Sequence, residues 1–231
     1  MMHAAKPVYV SCIVPAYNEG VRIGAVLDVL TAHPLIHEII VVDDCSTDDT
    51  AAVAKAFDDV TVVCLATNAG KTHALSAGLA ASMGQVILLV DADLIGLDGP
   101  ALTALLRPVL DDQADMTISL RRNAPRLWHI LGIDYISGER VFRRELLVDH
   151  VSDLKKLPAF GFEVWLNDIV IAAANRISIV SWNGVQSPAK ATKRGIVSGV
   201  LADVRMIIDM VQTVSPRRLV KQIAAMRRLR V

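Results

Sequence analysis

The chain has 231 residues, of which 53% are hydrophobic, and its formal net charge is zero. That length suffices for one large α/β domain or two small ones, and the hydrophobic fraction suits a sheet buried on both faces. A neutral chain argues against nucleic acid as a partner, yet the charge is unevenly placed: residues 215–231 carry Arg217, Arg218, Lys221, Arg227, Arg228 and Arg230 with no acid, +6 against −6 for the rest.

Residues 8–14 read as a first strand, closed by Pro15-Ala16-Tyr17-Asn18-Glu19-Gly20, and a helix follows over about 21–32, stopped before Pro34. A second strand over 38–42 exits through Asp43-Asp44-Cys45-Ser46, where Ser46 is the expected helix N-cap, with Asp48 and Asp49 favoured in the first turn. A third strand over 60–65 leads through Asn68-Ala69-Gly70-Lys71 into a helix ending near Met83. The run Val86-Ile87-Leu88-Leu89-Val90 has the continuous apolar character of a central parallel strand, and it ends in Asp91 and Asp93. Asp98-Gly99-Pro100 then caps another helix. This β-α-β-α alternation implies a Rossmann-like, mostly parallel sheet.

Beyond Leu110 the rhythm changes. A strand is expected over 115–120, a polar, basic connector over 121–128, and a turn and strand over 135–144 leading to a helix near Glu145. Helices over 161–174 and 195–214 flank a strand over 176–182, and Ser215-Pro216 caps a last basic helix. The expected organisation is a single domain over 1–214, with residues 8–112 and 113–214 as its two halves, followed by the amphipathic helix of 215–231.

Cys12, Cys45 and Cys64 are odd in number, lack zinc-ligand spacing and fall on or beside strands, as expected of buried, reduced thiols in a cytosolic protein. Residues 1–7 lack signal-peptide architecture, and no apolar run reaches the ~18–20 residues of a membrane span. The nearest, 196–211, is broken by Asp203, Arg205 and Asp209. The dinucleotide fingerprint G-x-G-x-x-G and the nucleophile elbow G-x-S-x-G are absent. Asn68 to Thr72 imitates the end of a P-loop but has Leu65 where that motif needs glycine.

What remains is a set of polar strand ends gathered along one sheet edge, where ligands of open α/β sheets collect. Acceptors on Glu19, Asp44 and Asp91 suit a base and ribose, whereas Lys71 and a cation on Asp93 suit a diphosphate. Val14-Pro15-Ala16-Tyr17-Asn18-Glu19, Val42 to Asp48, Asn68-Ala69-Gly70-Lys71 and Asp91-Ala92-Asp93 stand in the order of four motifs of the family 2 glycosyltransferases. The chain resembles bacterial members of that family, which have the GT-A fold, and is distantly similar to polyprenyl-phosphate sugar synthases.

The resemblance implies a nucleotide-diphosphate-sugar donor, with Pro15, Tyr17, Glu19 and Asp44 around its nucleoside, Lys71 at its phosphates and Asp91 at ribose or metal. It implies Mg2+ or Mn2+ on Asp93, with Asp91 and Gln186 as further ligands. Glu163, then Asp168, would be the base for an inverting transfer, and Arg140, Arg143 and Arg144 would face the acceptor or its phosphate. The implied acceptor is a saccharide or a polyprenyl-linked group, in cell-envelope or polysaccharide assembly on the inner face of the membrane. Three positions depart from the family pattern: Cys45 for a glycine, Ile95 for a glutamine, and Gln186 for a late histidine. Cys45 thus leads us to expect a turn that avoids the left-handed conformation.

Plainer roles stand beside these. Asp48 and Asp49 can simply cap a helix, and Lys71 can be a solvated helix-start lysine. Arg140, Arg143 and Arg144 can edge a strand, His73 and His129 can be surface groups, and Trp128, Trp165 and Trp182 can be core rather than sugar platforms. Residues 215–231 either lay Leu219, Ile223 and Met226 on protein or hold the chain at an anionic leaflet. Paired carboxylates also serve nucleotidyltransferases, which release diphosphate, and a non-catalytic nucleotide-sugar-binding protein would release no free nucleoside diphosphate.

Overall fold

The structure, a computed structural model, describes residues 8–154, 157, 161–188 and 215–231. The helix expected over 195–214 lies outside the described residues. Seven strands form one sheet: β1 (Val10–Ala16), β2 (Glu38–Asp43), β3 (Val60–Cys64), β4 (Val86–Leu89), β5 (Met116–Arg121), β6 (Arg140–Arg143) and β7 (Ile177–Trp182). Their spatial order is β3-β2-β1-β4-β6-β5-β7. The first four run parallel, connected in turn by α1 (Gly20–Thr31), α2 (Thr50–Lys55) and α3 (Lys71–Ala81), as the alternation of apolar runs implied.

The order departs from a simple progression after α4 (Gly99–Leu110) and β5. The expected connector forms α5 (Arg126–Leu131), and the chain returns as β6, antiparallel, between β4 and β5. Leu89 pairs with Arg140 and Val86 with Arg143, so β6 begins at the edge where β4 ends. This reversal carries Ser137, Gly138 and Glu139 to the carboxyl edge of the parallel strands. The helix expected near Glu145 is a 3-10 turn at Arg144–Leu147, followed by the short α6 (Val151–Leu154) and by α7 (Phe162–Ala172).

Alternation along the strands divides the core into two layers, one on each face of the sheet. On one face Ile13, Ile40, Ile87 and Phe142 pack with Leu75 of α3 and Phe162, Leu166 and Val170 of α7. On the other, Cys12, Val14, Val41 and Leu88 meet Ile23 and Leu27 of α1 and Leu102, Leu105 and Leu106 of α4. Trp128 and Trp182 are core residues, and the Trp182 indole donates to the Ala101 carbonyl. Trp165 stacks against Phe162 at the α7 start. The three cysteines are free thiols, but only Cys12 is buried; Cys45 is half-buried and Cys64 exposed.

The first two loops cap one another. Asn18 N–H donates to Ser46 Oγ at 2.9 Å, Glu19 N–H to Thr50 Oγ1 at 2.8 Å and Gly20 N–H to Asp48 at 3.1 Å, which satisfies orphan donors at the α1 start. Ser46 therefore does not cap its own helix: α2 begins later, at Thr50, whose N–H donates to Asp48 at 3.0 Å. Cys45 adopts φ +62°, contrary to the expected avoidance of the left-handed region. The interlocked loops hold it there against a strain of roughly 1–2 kcal/mol for an L residue.

The C-terminal helix α8 (Pro216–Arg228) is capped by Ser215, whose Oγ accepts from Arg218 N–H at 3.4 Å. Ile223 and Met226 are buried in the α3–α7 layer, with Leu219 packed against it. Past the helix, Ile177 N–H donates to Leu229 O at 2.9 Å and Val231 N–H to Ile177 O at 3.0 Å, so the chain end lies along β7. The apolar stripe of this helix is thus covered by its own protein, which leaves only the opposite, charged face for any other surface.

Candidate functional site

At the carboxyl edge of β1, β2 and β4 opens a cleft of about 590 Å³, lined by Pro15, Tyr17, Glu19, Asp44, the loop 68–71, Asp91 and Asp93. Each lining group follows from the strand it ends: an apolar run keeps the strand inside, and the first polar residues beyond it emerge at the edge. Tyr17 is exposed at the mouth, while Asp44 is buried.

Asp44 does more than line the wall. Its two carboxylate oxygens accept the N–H groups of Ala69 and Gly70, each at 2.8 Å, and so clasp the loop that opens α3. Gly70 has φ +90°, a conformation open to glycine at little cost, and it turns the chain so that α3 starts at the cleft. The positive end of that helix and the Lys71 ammonium face the same space, an arrangement suited to an anion.

Lys71 Nζ lies 2.7 Å from Asp91 Oδ1 and 3.1 Å from Glu163 Oε1, so it is an ion-paired group rather than a solvated one. Burial alone would lower the Lys71 pKa, but these two carboxylates outweigh it and hold the ammonium charged. Asp91 Oδ2 faces Arg121 at 3.6 Å. Burial would raise the Asp91 carboxyl, yet Lys71 and Arg121 together keep it below the usual range. Asp93 is the reverse case: burial, then the charges of Asp91 and Glu19, push its carboxyl up.

Behind Asp91 sits a polar cluster that sequence reasoning missed. Arg121 pairs with the buried Glu139 at 3.2 Å and approaches Asp134 at 4.0 Å. Glu139 also accepts from Ser119 at 2.7 Å and from Ser137 at 2.9 Å, and burial pushes its carboxyl up. Arg121 Nε and Asp134 Oδ2 are buried without a hydrogen-bond partner. Gly138 closes the floor: a Cβ there would lie 2.5 Å from both Lys71 Nζ and Asp91 Oδ1. A signal was available for two of these residues, Arg121 and Gly138. Arg121 is the first charged residue after an apolar strand, and a glycine beside a strand often marks a close approach.

The structure brings Pro15, Tyr17, Glu19, Asp44, Lys71, Asp91 and Asp93 to one cleft, with Glu163 reaching Lys71 from the α7 start. It does not bring Asp168 there. Five residues on, Asp168 points the other way and accepts from Arg218 and Gln222 of α8. The three arginines expected at the acceptor side are also committed elsewhere. Arg140 is buried and donates to Ser137 O, Tyr135 O and Asn167 Oδ1 at 2.8, 2.8 and 2.6 Å. Arg143 pairs with Asp112 at 2.9 Å. Arg144 donates to Gly84 O, Leu79 O and Ser82 Oγ. β6 runs away from the edge, so Arg143 and Arg144 end at the opposite side of the sheet.

A divalent ion would meet carboxylates but no cage. Among the described residues no three His, Cys, Asp or Glu side chains are grouped to hold a metal. Both Asp91 oxygens already face cations, which leaves Asp93 as the better placed ligand. Gln186 is tied to Ile95 by its backbone, at 2.8 and 3.0 Å in an isolated bridge, and so lies beside the loop that follows Asp93. This donor set fits a hard cation that takes one or two carboxylates and completes its shell with substrate phosphate and water. The raised carboxyl of Asp93 is what such a cation would stabilise.

Residues 11–148 match the model of the glycosyl transferase family 2. The chain is 36% identical over 98 residues to a dolichyl-phosphate beta-glucosyltransferase of Homo sapiens, covering 36% of this chain and 30% of that protein. It is 38% identical over 96 residues to the succinoglycan biosynthesis protein ExoU of Rhizobium meliloti, covering 40% and 28% respectively. The matches therefore span about a third of the length of these curated relatives. Among solved structures, glucosyl-3-phosphoglycerate synthase of Mycobacterium tuberculosis, in complex with Mn2+, uridine diphosphate and phosphoglyceric acid, aligns with a TM-score of 0.66 at 26% identity, covering 84% of this chain and 78% of that one.

Proposed function

The chain belongs to glycosyl transferase family 2, and on that premise we propose that it moves a sugar from a nucleoside-diphosphate sugar to a saccharide or polyprenyl-linked acceptor. The observation that carries this reading is the single cleft in which the clasped 68–71 loop, the α3 start with Lys71, and the Asp91–Asp93 pair converge. Nucleotide and Mn2+ in the mycobacterial synthase support it, as do the lipid-phosphate and polysaccharide activities named for the relatives.

In this reading Pro15, Tyr17, Glu19 and Asp44 receive the nucleoside, and Lys71 and the α3 end bind the diphosphate. Mg2+ or Mn2+ on Asp93 supplies charge neutralisation of the leaving diphosphate. Gln186 would be a further ligand to that ion. The acceptor oxygen bonds to the anomeric carbon as the bond to the phosphate oxygen breaks, and that electron pair leaves with the nucleoside diphosphate. Glu163 takes the proton of an acceptor hydroxyl, whose oxygen attacks opposite the leaving group, so that the single displacement inverts the anomeric centre. An ionised phosphate acceptor needs no such proton transfer. The charged outer face of α8, with Arg217, Lys221, Arg227 and Arg228 exposed, supplies contact with an anionic membrane surface.

A thermal-shift panel of UDP-, GDP- and dTDP-sugars with and without Mn2+ identifies the donor, and release of nucleoside diphosphate from the hits tests transfer. Metal-dependent stabilisation followed by nucleoside diphosphate release is the expected result. Release of inorganic diphosphate points to nucleotidyl transfer, and binding without any release leaves only a sugar-nucleotide receptor.

A further inference from the structure

We infer that Lys71 is a shared counter-ion for which Glu163 and the diphosphate of the donor compete, so that donor binding frees the Glu163 carboxylate. The inference rests on the nucleotide-sugar reading of the cleft and adds to it a coupling between its two sides.

The geometry is a three-element junction. Lys71 comes from the first residue of α3, Asp91 from the end of β4 and Glu163 from the first turn of α7. The ammonium has three donors. Two are taken, by Asp91 Oδ1 at 2.7 Å and Glu163 Oε1 at 3.1 Å. Gly138 blocks one side so closely that even a methyl group would collide with Nζ and both Asp91 oxygens. The open direction is the cleft itself, which Lys71 lines together with the α3 start.

A diphosphate arriving there brings more negative charge than Glu163 holds and sits at the positive end of a helix. Among the described residues Glu163 has no second cation at contact distance. Arg140 attracts it, but that guanidinium is already bonded to Ser137 O, Tyr135 O and Asn167. The other acids near Lys71 are Asp91, which remains paired, Asp93 across the cleft and the buried Glu139. Glu163 is therefore the partner that Lys71 gives up. The ion pair with Lys71 masks this carboxylate, and the donor unmasks it for the acceptor side.

Calorimetric titration with UDP and Mn2+, or with the nucleoside diphosphate of whichever sugar nucleotide binds, tests this on the full chain. Because Glu163 and the diphosphate draw on one cation, Glu163→Gln and Glu163→Ala should each tighten nucleotide binding, by about five- to tenfold. Lys71→Gln should weaken it. On the Lys71→Gln background, Glu163→Gln should change affinity by less than about twofold, since there is no longer a cation to release. A Glu163→Gln protein that binds no more tightly overturns the inference. So does equal tightening on the Lys71→Gln background, which would reflect direct repulsion between Glu163 and the phosphates. A wild-type protein that binds no nucleoside diphosphate overturns the nucleotide-sugar reading itself, and the coupling with it.

Discussion

Asp93 sits where burial and the neighbouring charges of Asp91 and Glu19 disfavour its ionised form. Its folded pKa lies above the unfolded value, so the native state binds this proton more tightly than the unfolded chain does. Stability is accordingly lost as pH rises from the ordinary carboxylate range through the folded pKa, and the cost is complete above it. Asp93→Asn should raise the melting temperature of the metal-free protein at neutral pH, and the gain should vanish near pH 4 and below. The same substitution should abolish Mn2+-dependent turnover; unchanged activity with added Mn2+ would show that the metal sits elsewhere. Gly138 makes the complementary case, in which space rather than charge is limiting. Gly138→Ala puts a methyl group 2.5 Å from Lys71 Nζ and Asp91 Oδ1, so it should cost turnover at least about a hundredfold. A melting temperature within a few degrees of wild type would locate that loss in the ion pair, and near-normal turnover would show the floor to be pliable.

Among the elements, α7 and α8 carry the downstream half of the site. α7 presents Glu163 at its first turn and turns Asp168 toward Arg218 and Gln222, while Gln222 also receives the Tyr135 hydroxyl. Tyr135 O and Asn167 in turn hold Arg140, so α8 is connected to the loop bearing Gly138 through buried polar contacts. This network accounts for why Arg140 is a framework residue: a buried guanidinium is tolerated only when its donors are satisfied. Met226 of α8 is fully buried. Met226→Ala should therefore destabilise the protein by about 2–5 kcal/mol in chemical denaturation. Val220→Ala, on the exposed side of the same helix, should stay within about 0.5 kcal/mol. Equal, small effects would mean that α8 does not pack as described.

Across the whole molecule, a zero net charge conceals a basic end and an acidic remainder. Because the apolar stripe of α8 belongs to the core, removing residues 215–231 would damage the fold and could not test membrane contact. Charge removal does. Arg217, Lys221 and Arg228 are exposed, and replacing all three with Gln should weaken flotation with vesicles containing anionic lipid by about 1 kcal/mol per cation. The defect should shrink at high salt. Equal flotation of both proteins would remove the membrane from the proposal.

The sequence by itself determined the parallel half of the sheet and the groups at its edge. Short continuous apolar runs between turn signals fit strands covered on both faces, and the polar residues directly after them surface at the carboxyl ends. Pro15, Glu19, Asp44, Asp91 and Asp93 were legible for that reason, since each lies within a few residues of a strand terminus, and Lys71 because it opens the helix that follows β3. Local pattern carries no such information about pairs made across the fold. Only the tertiary structure inserted β6 antiparallel beside β4, which set Gly138 and Glu139 behind Asp91 and sent Arg143 and Arg144 to the far edge. It also decided that Arg121, at the end of an ordinary-looking strand, completes the charge around Asp91, and that Asp168 belongs to the α8 contact. The physical reason is the same in each case. A charged residue's role depends on which opposite charge it meets in a buried space, and that partner is 30 to 50 residues away in the chain for Arg121–Asp91 and Asp168–Arg218.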